Sequence, residues 1–228
     1  MDLHLRSSAI LRALLGAIAA VAVAHLAAQL GAPAFDVPSS HPAVRALNMD
    51  QEPSVPTLLA MALWAIAFVL ATLIALGEHR ARRRHAGAWA FFAVVLGYLL
   101  ADEQLGLHEA LAVSLSSSRA QPALRATWVV PYGVAAGAGV ALGYRVAREL
   151  PMSVRWWLRA AIVTFASGAA GMELLGGLYL ERHGHDLFYH LTFVTAEESM
   201  EMIGLAFLVR ALLECLHLTQ PHIHLHLD

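Results

Sequence analysis

The chain has 228 residues, of which 58% are hydrophobic and 14% are charged, and its formal net charge is −2 at neutral pH. Soluble domains average about 45–50% apolar and about 25% charged residues, so this composition excludes an ordinary soluble domain and favours a polytopic membrane protein. The small net charge gives no basis for nucleic-acid binding, and a single cysteine, Cys215, excludes an internal disulfide.

Apolar segments long enough to cross a membrane recur along the chain, since about 20 helical residues span a hydrocarbon core of about 30 Å. The sequence predicts six, near residues 9–31, 56–77, 87–109, 127–147, 157–180 and 191–213. None alternates with a period of two, so strands are not expected. We predict an all-α, polytopic transmembrane helical bundle of about six spans as one domain over residues 1–218, followed by a short His-rich tail over residues 219–228.

Arginine is the only strongly basic residue type, and its placement predicts the orientation of the bundle. Eleven arginines lie beside the first span, in the second and fourth loops and near the end of the sixth span, against four on the opposite side. Both termini and the tail are therefore expected in the cytoplasm. The alanine- and arginine-rich composition is typical of a GC-rich bacterial genome, which predicts the bacterial inner membrane as the location. Arg6, Arg12 and the motif Ala32-Pro33-Ala34 also fit a cleaved signal peptide, an alternative that leaves the other spans unchanged.

Acidic residues lie in or at the ends of these apolar segments, with no lysine in the chain and no arginine inside the segments beside them. The seven are Asp102, Glu103, Glu109, Glu173, Glu197, Glu198 and Glu201. A charged group in hydrocarbon costs roughly 2.5–3.5 kcal/mol on the insertion scale, so each acid is expected to be protonated or to hold a cation. Intramembrane ionisable residues are functional-site candidates by default.

Depth and helical phase predict that these acids converge. At 1.5 Å per residue, Asp102 and Glu173 lie ~22–24 Å along outward-running spans, while Glu198 and Glu201 lie ~10–15 Å along the inward-running sixth span. Three spans therefore carry acids to one level in the outer half of the membrane. Phase also places Asp102 and Glu109 on one face. The predicted metal ligands are Asp102, His108, Glu109, Glu173, His190, Glu198 and Glu201.

Carboxylates with a few imidazoles suit Zn²⁺, Mn²⁺ or Fe²⁺, whereas oxygen ligands alone suit Ca²⁺ or Mg²⁺. The leading prediction is therefore divalent-metal binding or transport; the few polar groups in the inner halves of the spans favour a one-sided site. An alternative is a metal-dependent hydrolase or oxidase acting on a lipid-like substrate, with Glu103 or Glu197 as general base. A second alternative is a proton-coupled carboxylate site without metal. The expected partners are the lipid bilayer and no nucleic acid, and the pattern is compatible with a homo-oligomer.

Overall fold

The computed structural model describes residues 7–107, 110 and 129–219, and the regular elements in these ranges are helices without strands. They are α1 (Ser7–Ala34), α2 (Pro42–Leu47), α3 (Val55–Arg80), α4 (Ala86–Leu105), α5 (Val129–Ala147), α6 (Met152–His183) and α7 (Leu187–Thr219). Two of them contain a π-helical turn, Ser167–Met172 in α6 and His190–Val194 in α7. The all-helical prediction is confirmed for the part of the chain described.

Membrane-spanning length and hydropathy are found in five of these helices, namely α1, α3, α4, α6 and α7. The protein is thus a helical membrane protein by composition and length. Helix α5 falls in the fourth predicted span, residues 127–147, but its apolar stretch, Tyr132–Ala141, is shorter than the other five helices. The count of six spans and the cytoplasmic termini therefore stay predictions. Of the predicted tail, residues 220–228 lie outside the described residues.

Local sequence signals fix where the helices begin and end. The Ser54 hydroxyl accepts from the backbone N–H of Thr57 at 3.2 Å and caps the start of α3. Helix α4 was expected to run to residue 109, but it ends at Leu105 because Gly106 adopts a left-handed conformation with φ 58°. The helical phase that linked Asp102 to Glu109 therefore does not extend past Gly106, and Glu109 itself lies outside the described residues.

The core lies where α3 packs against α4 and α7, and α7 packs in turn against α1 and α6. Leu63 and Ile74 of α3 and Met202 and Leu212 of α7 are fully buried there. Membrane helices approach closely where small residues meet, because lipid provides little hydrophobic drive for association. The contact between α6 and α7, described below, follows this rule and sets the position of the site.

Paired charges hold the end of α3 close to the end of α5. Arg84 and His85, which follow α3, both bind Glu149 in the connection between α5 and α6, with His85 Nε2 lying 2.8 Å from Glu149 Oε2. These hydrogen bonds, from His85 first and Arg84 second, lower the pKa of Glu149. Arg83 Nη1 donates to Glu78 Oε1 at 2.9 Å. The two connections that precede α4 and α6 therefore meet on the same side of the bundle.

His25, in the middle of α1, is fully buried and ties three elements together. Its Nδ1 accepts from the backbone N–H of Met49 at 3.1 Å, and its Nε2 lies 3.5 Å from the carbonyl oxygen of His190. Because Nδ1 accepts, the ring proton lies on Nε2 and is directed at that carbonyl. The same carbonyl, in the π turn of α7, also accepts from Thr195 Oγ1 at 3.0 Å. His25 is thus a structural residue that fixes α1 to this turn.

Candidate functional site

A cavity of about 1680 Å³ lies between α4, α5, α6 and α7. Its walls are mainly apolar, with Phe92, Leu96, Val140, Ile162 and Leu205 among the residues that face it. Acidic side chains line one end of it, which we call the carboxylate end: Asp50, Glu52, Asp102, Glu103, Glu173, Glu197, Glu198 and Glu201. Three arginines line the other end, which we call the arginine end: Arg148, Arg155 and Arg159.

The two ends lie far apart along α6. Arg155 and Glu173 are 18 residues apart on this helix, which corresponds to about 27 Å. That distance approaches the ~30 Å thickness of a bilayer core. The cavity therefore has charged groups of opposite sign at its two ends and apolar walls between them.

Asp102 is the most buried acid of the carboxylate end, with 6% of its surface exposed. Its Oδ1 accepts from the hydroxyl of Tyr132 at 2.8 Å. The Tyr132 oxygen lies in turn 2.9 Å from the hydroxyl oxygen of Tyr98. This chain of hydrogen bonds connects α5 to α4 and orients the Asp102 carboxyl.

The acids of α7 have other carboxyl groups as their electrostatic neighbours. Glu198 interacts with Glu103 and Glu197, and more weakly with Asp50 and Glu52. Glu201 interacts with Glu198, Glu103, Glu197 and Glu173. Within the ranges that the structure describes, no arginine, histidine or hydrogen-bond donor contacts the carboxyl groups of Glu197, Glu198 or Glu201. Like charges this close cannot all be ionised without a counter-ion, because both repulsion and desolvation oppose it.

Two glycines bring the acids of α6 and α7 together. A side chain at Gly168 would place its Cβ 2.9 Å from the carbonyl oxygen of Glu197, and one at Gly204 would place it 2.7 Å from the backbone nitrogen of Phe165. The helices are therefore in backbone contact on both sides of Glu201. Gly168 also belongs to the π turn that directly precedes Glu173, and such turns are frequent at functional sites.

Four of the seven predicted metal ligands line the carboxylate end, namely Asp102, Glu173, Glu198 and Glu201, and so do both predicted bases, Glu103 and Glu197. His190 does not line the cavity. Its Nδ1 lies 3.7 Å from Asp50 Oδ2, on the side where its carbonyl meets His25. The remaining two, His108 and Glu109, lie outside the described residues.

The carboxyl groups surround open space rather than a preformed cage. Among residues 7–107, 110 and 129–219, no group of three histidine, cysteine or acidic side chains is arranged to hold a metal ion. An ion bound at the carboxylate end would therefore have to draw side chains from α4, α6 and α7 inward. Flexible glutamates on adjacent helix turns, such as Glu198 and Glu201, can make such a movement.

Several cavity residues were not predicted from the sequence. Asp50 and Glu52 lie in the connection before α3, and Tyr98 and Tyr132 support Asp102. A usable signal existed for the first pair, since two acids in a connection expected on the outer side lie level with the acidic helix ends. For the tyrosines no such signal existed, because tyrosine near a span end is equally typical of an interfacial aromatic belt.

A family model described as a domain of unknown function, DUF8692, matches residues 13–215. The chain belongs to this family. The match extends from α1 almost to the end of α7, so it contains every residue of the carboxylate end and of the arginine end. Neither curated proteins nor solved structures give a match to the chain. The function of this family member is therefore argued from the cavity itself.

Proposed function

We propose that the protein binds cations at the carboxylate end of its cavity, inside a bacterial inner membrane, and that the principal ligand is a divalent metal ion. The observation that carries the proposal is the convergence of acids from α4, α6 and α7 on one space, with Glu197, Glu198 and Glu201 facing carboxyl groups throughout the described part of the chain. A divalent ion would offset this repulsion, and carboxylate oxygens are the preferred ligands of hard cations.

The ligand set favours particular ions. Among the described acidic and histidine residues, those that line the cavity are all oxygen donors, and His190 lies next to the cavity with its Nδ1 3.7 Å from Asp50 Oδ2. Oxygen ligation supports Mg²⁺, Ca²⁺ or Mn²⁺ over Zn²⁺ or Fe²⁺. His108, which belongs to the ligand set expected from the sequence, would bring Zn²⁺ and Fe²⁺ back into competition by adding a nitrogen.

The arginine end of the cavity argues for cation binding rather than cation transport. A cation that crossed from the carboxylate end would have to pass Arg148, Arg155 and Arg159 before leaving. Three positive charges that line this end of the cavity form an electrostatic barrier to cations. The arrangement therefore supports a one-sided site that is reached from the carboxylate end.

A second candidate function, a metal-dependent enzyme acting on a lipid-like substrate, is favoured by the size of the cavity. Its volume of about 1680 Å³ exceeds the ~300–1,000 Å³ of typical small-molecule pockets, and a single ion would occupy little of it. In this enzyme the bound ion would activate water, and Glu103 or Glu197 would act as general base. The long apolar walls suit a substrate taken from the bilayer.

Elemental mass spectrometry on the full-length protein, purified in detergent without an affinity tag, tests the proposal. Every protein would carry His222→Gln, His224→Gln and His226→Gln to remove the tail as a metal source. We expect near-stoichiometric metal in this background, and at least a tenfold loss after Glu173→Gln or Glu201→Gln. The matched control is Glu181→Gln, an exposed glutamate two turns beyond Glu173 on α6, which should keep the metal.

Two results would contradict metal binding. Folded protein that holds no metal after incubation with Mg²⁺, Ca²⁺, Mn²⁺, Zn²⁺ and Fe²⁺ would leave protonated carboxyl groups and proton coupling as the better account. Equal metal in the Glu201→Gln and Glu181→Gln proteins would place the ion elsewhere in the molecule.

A further inference from the structure

We infer that the arginine end of the cavity binds the phosphate headgroup of an anionic membrane lipid, whose acyl chain lies along the apolar walls. Arg148, Arg155 and Arg159 all face this space. The inference concerns the end opposite the acids and does not depend on which cation, if any, the carboxylate end holds.

Among the described residues, the three arginines lack the carboxylate partners that several other arginines on their side of the bundle have. Arg83, Arg84 and Arg210 each bind a carboxylate, those of Glu78, Glu149 and Glu214. By contrast, within the described ranges Arg148, Arg155 and Arg159 have no carboxylate within ion-pair distance. Guanidinium groups that line a cavity without an acidic partner are ready to bind an anion.

Arg155 gives the strongest local indication of a bound anion. Its Nε atom is inaccessible to solvent and has no hydrogen-bond partner among the described residues. Leaving a buried donor of a charged group without an acceptor costs free energy, so an acceptor from outside the described residues is expected, and a bound anion would supply it. Arg148 is held in place by stacking over the Tyr144 ring, with its Cζ 5.7 Å from the ring centroid. A preorganised guanidinium fork binds phosphate oxygens in pairs.

The walls beyond these arginines match a hydrocarbon chain. Leu158, Ile162 and Phe165 of α6 and Phe92 and Leu96 of α4 line the space between the two ends. Arg159 and Glu173 are 14 residues apart, about 21 Å along the helix, whereas one leaflet of the hydrocarbon core is about 15 Å thick. An acyl chain anchored at the arginines therefore ends before it reaches the carboxylates.

The acyl chain of a lipid distinguishes a lipid phosphate from free inorganic phosphate as the ligand of this site. A lipid gains the guanidinium contacts while its acyl chain stays in an apolar environment and packs against the cavity walls. Inorganic phosphate gains only the guanidinium contacts, in competition with its own hydration. We therefore assign the site to a phospholipid with a net negative charge rather than to free phosphate or to a zwitterionic lipid.

Native mass spectrometry and a binding titration on the delipidated, full-length protein test this assignment. The probes are phosphatidylglycerol, phosphatidylcholine with the same acyl chains, and inorganic phosphate. We expect one phosphatidylglycerol per protein, at least tenfold weaker binding of phosphatidylcholine, and no binding of inorganic phosphate at millimolar concentration. Phosphatidylcholine binding as tightly as phosphatidylglycerol, or inorganic phosphate binding at the same site, would overturn the assignment.

Substitutions of arginine inside and outside the cavity test whether the lipid binds at the arginine end. Arg155→Gln with Arg159→Gln should weaken phosphatidylglycerol binding at least tenfold. Arg12→Gln with Arg80→Gln removes the same charge from exposed positions outside the cavity and should change binding less than twofold. Equal losses in the two double variants would overturn the proposal in favour of general surface attraction.

A second double variant, Arg155→Lys with Arg159→Lys, is used if the double glutamine variant does not fold. It keeps the positive charges and removes the planar guanidinium groups. It should bind phosphatidylglycerol several-fold more weakly than the wild type, and unchanged affinity would refute a guanidinium site. Glu201→Gln should leave lipid binding unchanged, so this result and the metal result can fail separately.

Discussion

Glu78 and Glu201 are both acidic residues of apolar helices, but their surroundings are opposite. Glu78, at the end of α3, is 5% exposed and accepts a hydrogen bond from Arg83 at 2.9 Å. Glu201, within α7, has Glu198, Glu103, Glu197 and Glu173 as its electrostatic neighbours in the described part of the chain. The fold therefore explains the burial of Glu78 by its bond to Arg83, but it does not explain the placement of Glu201. In this bundle the presence of a basic partner, rather than the degree of burial, distinguishes a structural acid from a candidate ligand.

Of the substitutions that test the contrast between Glu78 and Glu201, Gly204→Ala should have the largest effect on the stability of the fold. This replacement would force a Cβ to within 2.7 Å of the Phe165 backbone nitrogen, which we expect to destabilise the fold by up to about 3 kcal/mol. The change would separate α6 from α7 and hence Glu173 from Glu201, while the paired charges around Glu78 would remain. Reversible unfolding in mixed detergent micelles measures the loss.

The control for that prediction is Gly16→Ala on α1, where the added methyl group meets open space. Alanine is favoured over glycine in a helix by roughly 0.5–1 kcal/mol, so this variant should be as stable as the wild type or slightly more stable. Equal destabilisation of both variants would show that the close contact of α6 and α7 is not the cause.

Divalent cation should stabilise the wild type through the carboxylate end alone. A ligand at 100 times its dissociation constant stabilises the folded state by about 2.7 kcal/mol, which thermal unfolding with and without Mn²⁺ or Ca²⁺ would detect. Glu201→Gln should remove the response, whereas Glu78→Gln should retain it. A response that survives Glu201→Gln but disappears with Glu78→Gln would reverse the assignment of the two acids.

Neutralising the two acids should change stability in opposite directions when no divalent cation is present. Glu78→Gln weakens a charge-assisted hydrogen bond to a half-exposed arginine, at a cost of about 1.5–2 kcal/mol. Glu201→Gln relieves repulsion among carboxyl groups, so its free energy of unfolding should equal or exceed that of the wild type. The comparison is made by chemical unfolding in the presence of a chelator. Comparable destabilisation by both substitutions would mean that Glu201 is a structural acid too.

The smallest effect concerns Asp186, an acid outside the membrane-spanning helices whose role is again explained by its partners. Its Oδ1 accepts from the Tyr189 backbone N–H at 2.8 Å and its Oδ2 from the Tyr179 hydroxyl at 2.8 Å. These hydrogen bonds lower its pKa, the backbone bond contributing most. Its contribution to stability is therefore complete above its ordinary pKa of about 3.9 and declines as pH falls through the lowered value.

Asp186→Asn should accordingly be slightly less stable than the wild type at pH 7, and the difference should close as the pH is lowered below 4. Unfolding curves of the two proteins at several pH values give the measurement. A stability difference that stays constant down to pH 2 would show that Asp186→Asn destabilises the protein for a reason other than the loss of the carboxylate charge.

The sequence indicated that acids from three helices lie near one another, because the rise per residue of a helix does not depend on side-chain contacts. Asp102, Glu173 and Glu201 come from three helices and line one end of one cavity, as their depths indicated. Both proposed bases, Glu103 and Glu197, lie there as well. Helical structure and apolar length were equally accessible from composition and periodicity.

Directions around the helix axis were harder to predict than depths. A phase argument assumes regular α-helix, but α7 contains a π turn over His190–Val194 and α4 ends at Leu105. The predicted shared face of Asp102 and Glu109 depended on that assumption, whereas His190 was placed by its level alone, which does not define the direction of its side chain. Arg155 and Arg159 were interpreted as determinants of topology, because the sequence does not distinguish an arginine that faces lipid headgroups from one that faces a cavity.

The π turn of α6 makes the site depend on chain length as well as on residue identity. A π turn bonds residue i to i+5 rather than i+4, so it holds about one residue more than the regular turn it replaces, and each residue rotates the helix by about 100°. Deleting one residue between Ser167 and Met172 would turn Glu173 roughly a quarter-turn away from Glu201. Such a deletion would preserve every acid and the hydropathy of the helix, and would still move Glu173 away from Glu201. In this chain, the spacing of six residues therefore matters to the arrangement of the acids as much as the identity of a glutamate does.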